Sequence, residues 1–412
     1  MFGNNRGAIG KNQRFFEEQG KDSWSLGLRV LTCYSSELET IRLTLKDFAR
    51  TEDGPGGTKN GIDFVTNQID RNLFPSSGLL FFLLNGLCGF PLGPRGDKTH
   101  WNIPFKFKGV NCGIKEMKFG LWLNIDRGRK DAINPDEILG KLNKAIKIAE
   151  TKILQSISQE QIKNGNIIVK NLFHSLKNRY LFFREQADLG FSKKGKEQPG
   201  PYGDSISDRI NNNILLKNKS INNSLAMIDA YFSWLEHFFV LSLPFVSFDR
   251  RKDDLSVFVG KLWSEKMKRV LDIENPFGKK SYDQLTRIKE RYRNTFAHGG
   301  FEKEGASFFF HLPGFGAIPA KMSGYRHSVH FNYYPIEAED FQEICAFFDG
   351  FDKWLEETAL PFAWKYAYSG LNLDFGEEAL KEMLCVAYCL KDFDKWLDIQ
   401  SEKETMVLNA DY

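Results

Sequence analysis

Apolar residues recur at three- and four-residue steps along most of this chain, and at two-residue steps over a few short stretches. Leu28, Leu31, Leu38, Ile41, Leu45 and Phe48 predict a helix over 28–48, ended by the Gly54–Gly57 loop. Residues 62–73 and 79–87 predict short apolar helices. The rhythm then changes. Phe105 and Phe107, and further on Met117, Phe119, Leu121 and Leu123, alternate with polar residues. That alternation predicts two strands, 101–107 and 115–125, with 109–113 between them. Asn134 followed by Pro135, with Glu137 in the first turn, marks a helix start. Its apolar face runs Ile138, Leu142, Ile146, Ile153, Ile157. A helix over 167–189 carries Leu172, Leu176, Leu181 and Phe183.

Residues 190–208 are rich in Gly, Lys, Pro and Ser and have no period, which predicts a domain boundary or a long surface loop. Beyond it, Leu225, Ile228, Phe232, Leu235, Phe239 and Leu243 form the stripe of a long helix over 220–243, stopped by Pro244. Residues 255–271 predict a second helix. Asn275 to Gly278 predict a turn, and Ser281 caps a third helix through Tyr282, Leu285, Ile288, Tyr292 and Phe296, closed at Gly299. Residues 301–335 are punctuated by Gly and Pro and hold two β-like runs, 307–311 and 328–333. Helices over 337–360 and 377–399 complete the pattern. The fold class expected is mainly α, α+β overall. A mixed helix-plus-strand domain (1–190) and a linker (191–219) precede a helical bundle (220–400) with a small β insertion at 301–335.

A length of 412 residues exceeds one ordinary core, consistent with more than one domain. The 37 phenylalanines predict aromatic-rich cores. The net charge of +3 is uninformative, but its distribution is not. Residues 261–293 hold ten Lys or Arg against five acids, and 337–357 hold eight acids against Lys353. A basic stretch of this kind suits a polyanion, or else a solvated helix face. The six cysteines lack the spacing of a disulfide framework or a zinc site. The first sixteen residues contain no apolar segment of leader length, and the apolar run over 79–92 is broken by Asn85, Gly86 and Gly89. The expected setting is the cytoplasm, with no membrane and no cofactor.

The chemistry concentrates at the end of the third bundle helix, in Arg291-Tyr292-Arg293-Asn294-Thr295-Phe296-Ala297-His298-Gly299-Gly300. Arg293 and His298 enclose four residues, Asn294 follows the arginine, and Ala297-His298-Gly299 is a small–His–Gly ending. In these features the chain resembles the HEPN superfamily. A second Arg-x-x-x-x-His, Arg95 to His100, lies in a Pro/Gly-rich loop without the asparagine and does not share the resemblance. On an ideal helix Arg293 and His298 stand about 140° apart, whereas Asn294 and His298 share a face. Convergence of Arg293 and His298 therefore needs an irregular helix end or a second copy of the motif.

The resemblance implies a homodimer with a composite cleft, and metal-independent endoribonuclease activity that leaves a cyclic phosphate end. It also implies a setting in antiviral defence, abortive infection or toxin-type growth arrest. Histidine titrates near neutrality and transfers protons. Arginine keeps its charge and presents paired donors to a phosphate. Arg293, Asn294 and His298 are thus the expected catalytic residues, with RNA as substrate and no metal. Glu236, on an earlier helix, and Arg291 are candidate supporting residues, and Lys279, Lys280, Arg287 and Lys289 are candidate RNA contacts. The competing reading is a HEPN module that binds RNA or a protein without cutting, with His298 acting as a helix C-terminal cation.

Weaker features are also present. Gly190 to Lys196 spells a near phosphate-binding loop, but Glu197 stands where a hydroxyl should hold magnesium. His311, His327 and His330 suggest a metal, yet strand residues three apart face opposite ways. Tyr325, Arg326, Tyr333 and Tyr334 are able to stack on bases. Residues 1–190 carry no catalytic motif and suit a sensor for a phage or protein trigger.

Overall fold

The computed structural model describes residues 34–51, 63–70, 72–74, 76–94, 98–192, 206–246, 248–250, 252–294, 307–323, 328–330, 336–390 and 392–409. The chain is mainly helical and α+β overall. It divides into two compact units: 1–160 with 405–412, and 161–404.

The first unit holds α1 (Ser35–Thr44), β1 (Phe48–Arg50), β2 (Phe64–Gln68), α2 (Ser77–Phe81), β3 (Thr99–Phe107), β4 (Val110–Met117), β5 (Gly120–Asp126), α3 (Pro135–Ala149) and the start of α4 (Gln155–Lys163). The strands form an antiparallel sheet in the order β1-β3-β4-β5-β2. Phe105, Cys112 and Ile125 stand opposite one another across its three central strands and are buried. Leu38 and Ile41 of α1 and Ile138, Leu142 and Ile146 of α3 belong to the same core. The Asn134 side chain accepts from the Asp136 N–H at 2.9 Å, so α3 starts where the sequence places it.

Three expectations change here. Phe48 lies in β1, beyond the end of α1. Within 62–73 the structure has an edge strand, β2: Phe64-Val65-Thr66 are β-favouring residues whose neighbour is another strand. Residues 109–113 belong mostly to β4, and 115–125 spans a turn at 118–119 between two strands. Val110 pairs with Phe107 across a tight turn, where Gly109 takes φ +80°.

The second unit begins with β6 (Ile168–Val169), α5 (Phe173–Ser192) and α6 (Ile206–Ser242). Phe173 packs on Trp234 and Tyr180 on Tyr231, so α5 and α6 run antiparallel. Phe173, Tyr180 and Ala187 bury α5 in this unit, while Leu172 and Leu181, expected in the core, are exposed. The helix preceding 190 thus belongs to the second core, and the units divide at 160 rather than at 190.

α6 is the bundle's central element. Met227, Ile228, Tyr231, Trp234, Leu235 and Phe238 are all fully buried and form one apolar stripe about 120° wide at 100° per residue. The expected 255–271 helix is two, α7 (Leu255–Gly260) and α8 (Trp263–Val270), because Lys261 and Leu262 are extended. α9 (Pro276–Ile288) starts at the segment expected to be a turn. Asn275, not Ser281, caps it by accepting from the Phe277 N–H at 2.9 Å.

Gly278 in the first turn of α9 presses on the Asp272 carbonyl, where a Cβ would collide with backbone. Gly278→Ala is therefore expected to destabilise the protein by about 1–3 kcal/mol; an unchanged urea midpoint would refute that.

The β insertion is a three-stranded antiparallel meander, β7 (Ser307–Leu312), β8 (Gly316–Ser323) and β9 (Ser328–His330). Its middle strand was not expected, since Pro319 interrupts the pattern. α10 (Ala338–Trp354) stacks Phe348 on Tyr231 at 3.6 Å between ring centroids. α11 (Pro361–Ser369) brings Trp364 against Trp234. β10 (Leu373–Asp374) pairs with β6, and α12 (Glu377–Cys385) and α13 (Phe393–Asn409) follow in place of one helix over 377–399.

Candidate functional site

The motif approaches along α9. Leu285, Ile288 and Tyr292 are buried against the core, while Lys279, Lys280, Arg287 and Arg291 are exposed. Over Lys289–Asn294 the helix widens to π-type turns. The regular 100° per residue therefore does not hold where Arg293 and Asn294 sit, and such widened turns often accompany functional sites. Arg293 and Asn294 are the last two residues of the widened segment. Thr295 to Gly300, with His298, lie outside the described residues.

Two neighbours anchor this segment. Asp340, in the first turn of α10, accepts from the Tyr292 hydroxyl at 3.2 Å and pairs with Arg291 at 3.4 Å. Burial pushes the Tyr292 phenol well above its ordinary value, so it remains a donor. Arg291 also lies over the Tyr292 ring, 4.9 Å from its centroid. It thereby tethers the widened turn to α10. Lys289 lies 5.0 Å from the Phe232 ring centroid and 5.3 Å from that of Trp263. Its ammonium is part of the packing as well as part of the basic face. Lys279, Lys280 and Arg287 remain the exposed cations of that face.

Glu236 has a partner of its own. Its carboxylate accepts from Lys266 at 3.1 Å, and Lys266 is buried. The direction of the chain also bears on Glu236. Lys289 sits on Phe232 of α6, and three residues later Tyr292 reaches Asp340. Asp340 lies close in sequence to Glu337, which pairs with Lys217 of α6 at 2.9 Å. From Lys289 onward the chain therefore moves toward the N-terminal end of α6, away from Glu236. Asp229, three residues before Phe232, stands on the same side of α6 and on the side toward which the motif runs. Nothing in the spacing marks Asp340, which lies 48 residues from Tyr292 in sequence.

His237 is structural. Its Nε2 accepts from the Leu172 N–H at 2.9 Å, just before α5 begins. Burial, then the nearby Lys266 charge, hold its imidazole below the usual value. The folded state therefore resists protonating it. Its contribution to stability is complete above about pH 6.5 and is lost as pH falls through the lower folded value. His237→Gln keeps an acceptor that does not titrate, so its melting temperature is expected to depend less on pH than the wild type's between pH 7 and 5. Parallel curves would count against this role.

The weaker features fare differently. Gly190 lies inside α5, where a Cβ would meet the side chain of Ser220, so it is helix–helix packing and not the start of a phosphate loop. Residues 193–197, including Lys196, lie outside the described residues, as do Arg326, His327, Tyr325, Tyr333 and Tyr334. His311 and His330 stand on different strands, each at a pairing position. Among the described residues no group of three or more His, Cys, Asp or Glu is placed to hold a metal ion, and no helix is long and apolar enough to cross a membrane. Compared with known proteins, the chain matches no family model, no curated protein and no solved structure.

Proposed function

We propose that the protein is a metal-independent endoribonuclease of the HEPN type, with Arg293, Asn294 and His298 as its catalytic residues. The observation that carries this reading is the setting of the motif. It ends a buried bundle helix that exposes Lys279, Lys280 and Arg287 and widens at Arg293 and Asn294. In this scheme Arg293 binds the scissile phosphate and stabilises its developing charge. His298 moves the proton of the attacking 2′-hydroxyl or of the leaving oxygen. Asn294 orients the imidazole or a phosphate oxygen, and Asp340, through Tyr292 and Arg291, fixes the turn that presents them. The protein acts as a homodimer in the cytoplasm, in defence or growth arrest, with the N-terminal unit receiving a phage or protein trigger.

The test is cleavage of total RNA in EDTA by the purified chain. Cutting that persists in EDTA, leaves cyclic phosphate ends, and disappears in Arg293→Ala and His298→Ala supports the reading. A wild type that binds RNA and never cuts it, with or without the N-terminal unit, replaces it with a non-catalytic HEPN binding module.

A further inference from the structure

α5 and α10 lie side by side and antiparallel: Lys177 reaches Asp352 at one end and Phe191 meets Phe341 at the other. Between them runs an open groove of about 590 Å³. One wall is the face of α5 that carries Leu181, Glu185 and Asp188, and the other is the face of α10 that carries Phe341, Cys345 and Ala346. Each wall covers about two helical turns, or about 10–12 Å. Phe341 and Cys345 are buried and give the groove an apolar floor, while Leu181 and Ala346 are exposed.

The charge of the groove is one-sided. Arg184 is the one cation among the described residues that line it. Asp349 already holds that guanidinium through paired bonds of 2.5 and 2.7 Å, and the Tyr180 hydroxyl accepts from it at 3.0 Å. Glu185 and Asp188 pair with no cation among the described residues. The α10 side is acidic as well, with eight acids against Lys353 over 337–357.

Gly350 lies one turn beyond Ala346 on the same ridge of α10. Glycine is disfavoured inside a helix, and a Cβ at this position would meet nothing within 4 Å. Packing within the chain therefore does not call for the glycine. A ridge of Ala346 and Gly350 is low enough for another helix to lie closely against α10.

We propose that the α5–α10 groove docks an amphipathic helix of a partner protein, aliphatic on one face and flanked by Lys or Arg. The aliphatic face covers Leu181, Phe341 and Ala346, and the cations meet Glu185 and Asp188. Charge selects this occupant. An acidic groove repels RNA. A second copy docked about a two-fold axis would set the same carboxylates against one another. The surface is independent of the motif at Arg293.

The test uses the full wild-type chain and a fluorescein-labelled model helix of about five turns, with leucines on one face and lysines beside them, read by fluorescence anisotropy. Its counterpart carries glutamate in place of every lysine. The lysine peptide should bind saturably and the glutamate peptide should not. Ala346→Arg and the double variant Glu185→Lys/Asp188→Lys are each expected to weaken binding about tenfold or more. Asp398→Lys/Glu402→Lys, on α13, is the charge control and should bind like the wild type. Gly350→Gln should weaken the peptide while raising the melting temperature of the free chain, a pairing that a glycine needed for packing would not give. A benzophenone on the leucine face should crosslink to 181–188 or 341–350, a readout that needs no variant to fold. No saturable binding, equal binding of the glutamate peptide, unchanged affinity in folded variants, an equal loss in the control, or crosslinks confined to other segments overturns the proposal. A wild-type dimer that Ala346→Arg breaks, with no peptide bound, gives the groove to a second copy and overturns it as well.

Discussion

Replacing Lys177 with methionine is expected to lower the unfolding free energy by about 3–5 kcal/mol. The loss comes from what is left behind. Asp352 of α10 is buried in the bundle, where its carboxylate accepts from the Tyr231 hydroxyl at 2.8 Å and pairs with the Lys177 ammonium. Burial raises the Asp352 carboxyl above its ordinary value; Lys177 and the hydrogen bonds oppose that rise without cancelling it. The ammonium also lies 3.9 Å from the centroid of the Trp234 ring, and 5.4 and 5.8 Å from those of Tyr180 and Trp364. Those ring faces attract a cation and do nothing for an anion. Without Lys177 the carboxylate keeps a single phenol donor in an aromatic surround.

Urea unfolding of Lys177→Met, Asp352→Leu and the double variant checks this. The double variant is expected to recover part of the loss, since replacing both charges removes the uncompensated one. A double variant as unstable as the sum of the singles would assign the effect to packing instead. The sign with pH also follows. Because the folded state holds the Asp352 proton more tightly than the unfolded chain, this group's contribution falls as pH rises from about 3.8 through its raised folded value.

His298→Ala is expected to slow RNA cleavage by about 10²–10⁴-fold, the range associated with a positioned proton-transfer group. The fall should lie in the single-turnover rate at saturating RNA, with affinity little changed, because in the proposed scheme the imidazole acts on the reacting oxygen more than on the backbone. Arg293→Lys should fare nearly as badly. Lysine keeps the charge but offers a point donor in place of two fixed parallel ones. A His298→Ala protein that folds and cuts at the wild-type rate would remove the motif from the chemistry.

Sequence alone located the helix that carries the motif and most of its buried stripe, because Leu285, Ile288 and Tyr292 keep a strict step. It missed where α9 begins: Asn275-Pro276 reads equally as a turn and as a capped first turn, and only packing decides. Strand β2 was hidden because its hydrophobic residues, Phe64 and Val65, are adjacent rather than alternating. Gly113 hid β4 for a similar reason, as a residue with no side chain to pattern. Ahead of and along α5 the exposed residues Leu172 and Leu181 mimic a core stripe, while the true buried face includes the small Ala187. At the site, Glu236 lies on the expected helix and its carboxylate holds Lys266; its level along α6 relative to the motif depends on the direction of the chain after Lys289. No one-dimensional pattern encodes that direction.

The ring cluster around Lys177 also gives the bundle an optical signature. The Trp234 and Trp364 rings meet at 5.7 Å and 85°, with Phe173 and Phe238 edge-on to Trp364. Transitions of chromophores held this close, at one fixed angle, mix and give circular dichroism in the near ultraviolet. That signal survives as long as the rings keep one arrangement and vanishes when they tumble, even if the helices remain. A bundle that has loosened can therefore be told from one that has merely lost a charge, by light alone.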